Sequence, residues 1–206
     1  MRLDNTLKAK LIYLFLLADG ECSTKEKVEF ETLCKTMKID ETERAKFVNY
    51  YENRFFKNDN SAEIIQEMYE LLEKSSKADY QIGFIVRGLL GESELDIDSL
   101  WSNQGKREQL ELIWAMVNLG YADTEFSVAE QRVIRFLANH LGVDSAVYTD
   151  MLETAETILA LVEQENWLKT SRRSSWEINN EVAKIEKIIE QMYANIEQLL
   201  LEAEVA

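Results

Sequence analysis

One stretch of this chain occurs twice, first as ADGECSTKE at residues 18–26 and again, 104 positions later, as ADTEFSVAE at residues 122–130. The two copies stay in register without a gap as far as Asp40 and Asp144. Each copy follows a strongly apolar segment and precedes a segment with one apolar face, which is the pattern of a helix, a loop and a second helix. The repeat therefore predicts two helical hairpins packed around a pseudo-twofold axis.

The composition also indicates helices along nearly the whole chain. The 206 residues include no proline and only seven glycines, and both residue types are excluded from helix interiors. Hydrophobic residues make up 46% of the chain, which is enough for a substantial core. We expect an all-α helical bundle with helices at about 4–18, 24–37, 41–56, 106–119, 128–141, 145–168 and 176–204, and with further helices between 57 and 105.

Local patterns add detail to these helices. Asp40 and Asp144 are expected to be N-caps, and Glu43 should complete a capping box with Asp40. A single apolar face is expected on the helix at 24–37, formed by Val28, Phe30, Leu33, Cys34 and Met37.

The chain is predicted to divide into two parts. Residues 1–170 form a helical domain with repeat units at about 4–56 and 106–168 and with inserted helices at 57–105. Residues 171–206 form a long C-terminal helix, since the polar stretch at 170–175 is the clearest linker in the sequence.

The net charge excludes several classes of partner. The formal charge is −15, and a polyanion of this kind repels nucleic acid and anionic lipid surfaces, whereas basic proteins and metal cations are natural partners. No segment approaches the roughly 20 apolar residues of a membrane span, and no signal peptide is visible, so no membrane insertion and a cytoplasmic location are expected. Cys22 and Cys34 fit no zinc spacing and are expected to be reduced thiols.

The repeated motif has a structural half and a half that could bind a ligand. Two capping boxes are predicted, formed by Ser23 with Glu26 and by Ser127 with Glu130. The remaining acidic residues follow helix C-termini, where carbonyl groups are unpaired and a negative charge is unfavourable. Oxygen-rich loops of this kind suit a hard cation, although a solvated acidic turn explains the same residues. The candidate metal ligands are Asp19, Glu21, Asp123 and Glu125.

The motif resembles the TerB-like family, which includes bacterial tellurite-resistance protein B and the N-terminal domain of a membrane-anchored DnaJ-like protein. The resemblance rests on the two Ala-Asp-x-Glu-x-Ser-x-x-Glu stretches and on Phe-Leu-Ala-Asn-His-Leu-Gly-Val-Asp at residues 136–144, and it covers about residues 8–56 and 108–162. It implies a pseudo-symmetric helical bundle, a role in stress response or phage defence through protein partners, and metal binding at the acidic loops. In the second copy Thr124 replaces the glycine, so the two loops are not expected to be equivalent.

A heptad pattern marks the C-terminal helix. Apolar residues repeat there at steps of three and four, as in a coiled-coil seam. The seam consists of Ile178, Val182, Ile185, Ile189, Met192, Ile196 and Leu199. It predicts either a long helix packed along the body of the protein or a coiled coil that joins two copies or captures a partner.

No catalytic pattern accompanies these features. The sequence has no P-loop, nucleophile elbow, HExxH motif or Cys/His set, and its one histidine, His140, is expected at a helix end. The leading hypothesis is a non-catalytic TerB-like module that acts through protein partners and binds a divalent cation such as Ca²⁺, Zn²⁺ or Mn²⁺. The alternatives are an oligomeric scaffold that works through its C-terminal coiled coil without a metal and, more distantly, a metal-dependent hydrolase.

Overall fold

The computed structural model describes residues 5–17, 22–56, 105–122 and 126–205, and within these ranges it contains seven α-helices and no strand. The all-α prediction is confirmed, and each helix boundary lies within two residues of the expected one. The helices predicted between residues 57 and 105 lie outside the described residues. The described helices are α1 (Asn5–Leu16), α2 (Thr24–Thr36), α3 (Glu41–Phe56), α4 (Lys106–Gly120), α5 (Val128–His140), α6 (Ser145–Thr170) and α7 (Ser175–Val205).

The core follows the internal repeat, because residues 104 positions apart are buried together. In the first half the core is aromatic: the ring centroids of Tyr13 and Phe30 lie 5.1 Å apart, and Phe47 meets Phe30 edge to face at 6.3 Å. In the second half the related positions carry smaller aliphatic side chains. All eight are buried, namely Tyr13, Phe30, Phe47 and Tyr51 and their counterparts Val117, Ile134, Met151 and Ala155.

The two halves also end their second helices in the same way. After α2 the chain turns through Lys38, which has a φ of +58°, and after α5 it turns through Gly142, which has a φ of +67°. Both turns close with the amide-to-carbonyl bond of a Schellman motif, from Ile39 to Cys34 and from Val143 to Ala138. Since glycine adopts this conformation without the steric cost that a side chain brings, the second copy has the better residue for the turn.

The predicted N-caps of α3 and α6 are present, but one predicted partner is wrong. The Asp40 carboxylate accepts hydrogen bonds from the Thr42 and Glu43 amides, and Asp144 accepts one from Ala146. The Glu43 carboxylate does not complete a capping box, since it accepts a hydrogen bond from the Thr6 hydroxyl of α1 at 2.9 Å. That tertiary contact joins α1 to α3, and a sequence pattern within one helix cannot show it.

Helix α7 packs against its own chain. Only residues 171–174 separate it from α6, and it contacts α6 and α4 along its length. In the predicted seam, Ile185 and Ile196 are buried and the other five residues are half-buried. Ile196 and Leu200 lie in the main hydrophobic core together with residues of α1 to α6. This arrangement is the packed alternative for the heptad pattern, while the division of the chain at residue 170 stays a prediction.

None of the described helices combines the length and apolar character that crossing a bilayer requires.

Helix α4 is the central helix of the described bundle, because it contacts α1, α2, α5, α6 and α7.

The packing of α7 can be tested at two adjacent leucines. Leu200 is 5% exposed and Leu201 is 42% exposed. We expect Leu200→Ala to lower the free energy of unfolding by about 2–4 kcal/mol, because it leaves a cavity in the main core. Leu201→Ala should cost less than about 1 kcal/mol. Urea unfolding followed by circular dichroism measures both changes, and equal effects of the two substitutions would contradict the packing described for α7.

Candidate functional site

The four candidate metal ligands, Asp19, Glu21, Asp123 and Glu125, all lie outside the described residues. The structure does show how the two loops that contain them begin and end. Each loop leaves a buried helix, α1 or α4, and each runs into a serine at the start of α2 or α5.

Both predicted capping boxes are present, and their geometry is nearly identical. The Ser23 amide donates to Oε2 of Glu26 at 2.6 Å, and the Glu26 amide donates back to Oγ of Ser23 at 3.2 Å. The corresponding distances for Ser127 and Glu130 are 2.8 and 3.2 Å. The backbone angles of the two serines also agree, with φ of −64° and −65°. The two loops thus enter their second helices in the same direction.

The glutamates of these boxes are unusual in being buried. Glu26 is 4% exposed and Glu130 is 1% exposed, and they are the buried charged residues of the part of the chain that the structure describes. A third box, Ser174 with Glu177 at the start of α7, has the same bonds but an exposed glutamate. Its Ser-x-x-Glu spacing is visible in the sequence but was not singled out there. The hydrogen bonds from Ser174 lower the pKa of Glu177.

An aromatic contact joins the two ends of the second loop. A Cβ atom on Gly120 would lie 2.5 Å from a ring carbon of Phe126, so glycine is needed for this ring to rest on the end of α4. Phe126 also packs on Tyr121, with ring centroids 4.8 Å apart. In the first copy these positions hold Leu16 and Cys22. The residues on either side of the two loops therefore differ, while the effect of Thr124 on the second loop stays a prediction.

The buried cysteine, Cys34, is not suited to act as a nucleophile or a redox group. Cys22 and Cys34 are both free thiols, as predicted. Burial raises the pKa of the Cys34 thiol to about 11, an effect that the Arg44 guanidinium partly offsets. Because the thiolate is the reactive form, Cys34 is an inert core residue at neutral pH.

An open apolar groove lies beside the central helix. It has a volume of about 1070 Å³. Residues of α4 line it, with α1 and α2 on the first-half side and α6 and α7 completing the wall, and all of these helices contact α4. The apolar side chains that line it include Val28, Leu33, Trp114, Leu159, Val162 and Tyr193.

The structure corrects the prediction for α2 at one residue. Phe30 and Cys34 are buried in the core as expected, and Leu33 and Met37 are half-buried and pack against it. Val28 is exposed and lines the groove, about 180° around the helix from Met37. Helix α2 therefore has the predicted apolar face, formed by the other four residues, and Val28 lies outside it.

Aromatic and charged groups form one part of the groove. The rings of Trp114 and Tyr193 meet edge to face at 6.3 Å. The pKa of Tyr193 is raised, first by burial and then by the negative charge of Glu29 on α2. Lys8, Lys25 and Glu111 also line the groove. Ring edges, a phenol and charged groups around an apolar floor are typical of a surface that binds another protein.

The described residues contain no group of three or more acidic, histidine or cysteine side chains that could hold a metal ion. The acidic loops at residues 18–21 and 123–125 are not among the described residues, so this finding does not test them.

Comparison with known proteins gives one match. The family model described as tellurite resistance protein TerB matches residues 37–152, which is more than half of the chain. The match begins at the end of α2 and ends in α6, so it includes the second acidic loop but neither the first loop nor α7. No curated protein and no solved structure matches the chain.

The buried capping box can be tested against the exposed one. We expect Glu130→Ala to lower the free energy of unfolding by about 1–3 kcal/mol, because the Ser127 amide loses its acceptor in a buried position. Glu177→Ala removes the same bond at the surface, where water replaces it, and should have a smaller effect. Urea unfolding of the two variants measures the difference. An effect of Glu177→Ala as large as that of Glu130→Ala would contradict the role of burial.

Proposed function

Because the chain belongs to the TerB family, we propose that it is a non-catalytic helical module that acts through a protein partner in a bacterial stress or defence response. The family assignment rests on the match over residues 37–152. The observation that carries the partner-binding role is the open apolar groove between α2, α4, α6 and α7. Monomeric proteins rarely leave a large apolar surface in contact with water unless it binds something.

The shape and chemistry of the groove favour an amphipathic helix as the bound element. Its walls are themselves helices, and apolar side chains extend along it from Val28 on α2 to Val162 on α6. Amphipathic helices bind such grooves through apolar residues spaced by three and four. The chain carries a formal charge of −15, so a helix with basic residues on its outer face should associate faster and bind more tightly than an acidic one.

The groove can be tested with two designed peptides. Both have the same leucine-rich face, and the other face carries lysine in one and glutamate in the other. We expect the lysine peptide to bind, as measured by fluorescence anisotropy of a labelled sample, and the affinity to fall by about tenfold in the Val28→Gln/Val162→Gln variant. Val128→Gln is the control, since Val128 is 51% exposed, close to the 56% of Val28, but does not line the groove.

Two results would count against this proposal. One is the absence of binding by either peptide. The other is an equal loss of affinity in the control and in the double variant, because the apolar groove would then not be the binding surface.

We also propose that the acidic loops bind a divalent cation through Asp19, Glu21, Asp123 and Glu125. Two features support it: the chemistry of the donor set, which consists of carboxylates next to helix C-termini, and the pair of buried capping boxes that fix where each loop enters its second helix. The packing of Phe126 on Gly120 favours the second loop as the tighter site, because residues on both sides of it are held in place before a cation binds.

Calorimetric titration with Ca²⁺, Mn²⁺ and Zn²⁺ tests the cation proposal. We expect binding to the unmodified chain, a larger loss with Asp123→Asn than with Asp19→Asn, and little binding by the double variant, because each substitution removes one charged ligand. The control is Asp150→Asn/Glu153→Gln, which removes two exposed negative charges of α6. Equal losses in the control and in the loop variants would reduce the effect to net charge and contradict a specific site.

The alternative function, an oligomeric scaffold that works through α7, has less support. The seam residues Ile185 and Ile196 are buried against the same chain, so a coiled coil between two copies would first have to separate α7 from α4 and α6.

A further inference from the structure

The turn between α6 and α7 differs in charge from the rest of the protein. Residues 166–176 contain three cations, Lys169, Arg172 and Arg173, and no aspartate or glutamate, although Glu165 and Glu177 flank them directly. Lys169 forms an ion pair with Glu165, so the two arginines are the cations that the turn offers to a partner. Removing these three cations from the formal net charge of −15 leaves −18 for the rest of the chain. We call residues 166–176 the hairpin tip.

The hairpin tip also carries two exposed tryptophans. Trp176 is 75% exposed and Trp167 is 58% exposed, which makes them the most exposed large hydrophobic residues of the part of the chain that the structure describes. The Arg173 guanidinium lies 5.5 Å from the centre of the Trp167 ring. Tryptophan in water is unfavourable, and two of them next to exposed arginines form a surface suited to an environment that is both apolar and anionic.

The hairpin tip stands apart from the main core. Ile158, Leu168 and Ile185 are buried between the two helices, but they do not belong to the main hydrophobic core. The last residue of α6 in that core is Ala155, so the distance along the helix from there to Leu168 is about 20 Å. This is more than the Debye length of about 8 Å at physiological ionic strength. The tip can therefore approach an anionic surface with little repulsion from the acidic body, although the flanking Glu165 and Glu177 lie within this length and offset part of its positive charge.

From these observations we propose that the hairpin tip docks on the surface of a membrane that contains anionic lipids. Trp167 and Trp176 would lie at the boundary between headgroups and acyl chains, where tryptophan is enriched, and the arginines would bind lipid phosphates. The tip is the end of a two-helix hairpin, and a flat lipid surface can contact such an end without a pocket. The docking is peripheral, so it does not conflict with the absence of a spanning segment among the described helices.

Single-stranded nucleic acid is the other polyanion that exposed tryptophans could bind, and two observations disfavour it. Bases stack on open ring faces, but Arg173 lies over the ring of Trp167. A nucleic-acid strand of any length would also extend past the tip toward a body with a charge of −18. A membrane meets only the tip.

Vesicle flotation of the full chain tests the proposal. We expect the partition coefficient to be higher by about tenfold or more on vesicles of about 70% phosphatidylcholine and 30% phosphatidylglycerol than on pure phosphatidylcholine, and to fall with added salt. Trp167→Ala/Trp176→Ala and Arg172→Gln/Arg173→Gln should each reduce it by about tenfold. The charge-matched control is Lys184→Gln/Lys187→Gln, which removes two exposed cations of α7 outside the tip and should change partitioning by less than about twofold.

Three outcomes would overturn the proposal. The first is equal flotation on the two kinds of vesicle, and the second is flotation that survives the tryptophan substitutions. The third is the absence of flotation together with tip-dependent binding of a single-stranded oligonucleotide, or with tip-dependent self-association in sedimentation velocity. Circular dichroism and urea unfolding check that each variant is folded, which we expect because the replaced side chains are exposed.

Discussion

Two buried carboxylates constrain the arrangement of this bundle. A carboxylate can be removed from water only when hydrogen bonds replace its hydration, and the serine amides one turn earlier provide part of that replacement for Glu26 and Glu130. The bond requires the chain to enter α2 and α5 at a fixed angle. With these entries fixed, α2 contacts α1 in the first half and α5 contacts α4 in the second. The third box has the same bonds at an exposed glutamate, so it stabilises only a helix end.

The two halves share a backbone plan but differ in how they fill it, and one of the smaller side chains of the second half lines the groove between them. Tyr51 in the first half corresponds to Ala155 in the second, and Ala155 lines the groove. Helix α7 extends over α4 and α6 and provides Leu200 for the core and Tyr193 for the groove wall. Duplication thus accounts for the shared framework, while substitution and the added helix account for the surface that distinguishes the two halves.

The sequence predicts the framework well because its signals are local. Helix caps and apolar periodicity depend on residues within a few turns of one another, and the seven described helices follow from them. Local signals fail where a residue has a choice of partners. Glu43 has the right spacing for a capping box but accepts a hydrogen bond from Thr6, an outcome that depends on the position of a neighbouring helix. Val28 is apolar but exposed at the groove, and helical geometry already places it on the other side of α2 from Phe30 and Met37.

The net charge shows the same limit for function. A formal charge of −15 describes the whole chain and predicts repulsion from any anionic surface. Screening confines electrostatic interactions to about 8 Å at physiological ionic strength, so a surface responds to the charges close to it and not to the sum. Residues 166–176 hold three cations, of which Lys169 pairs with the flanking Glu165, at the end of a hairpin whose turn lies about 20 Å from the main core. Whether an anionic surface attracts or repels this protein therefore depends on which part of the protein meets it. The exposed tryptophans of the hairpin tip favour contact through the tip.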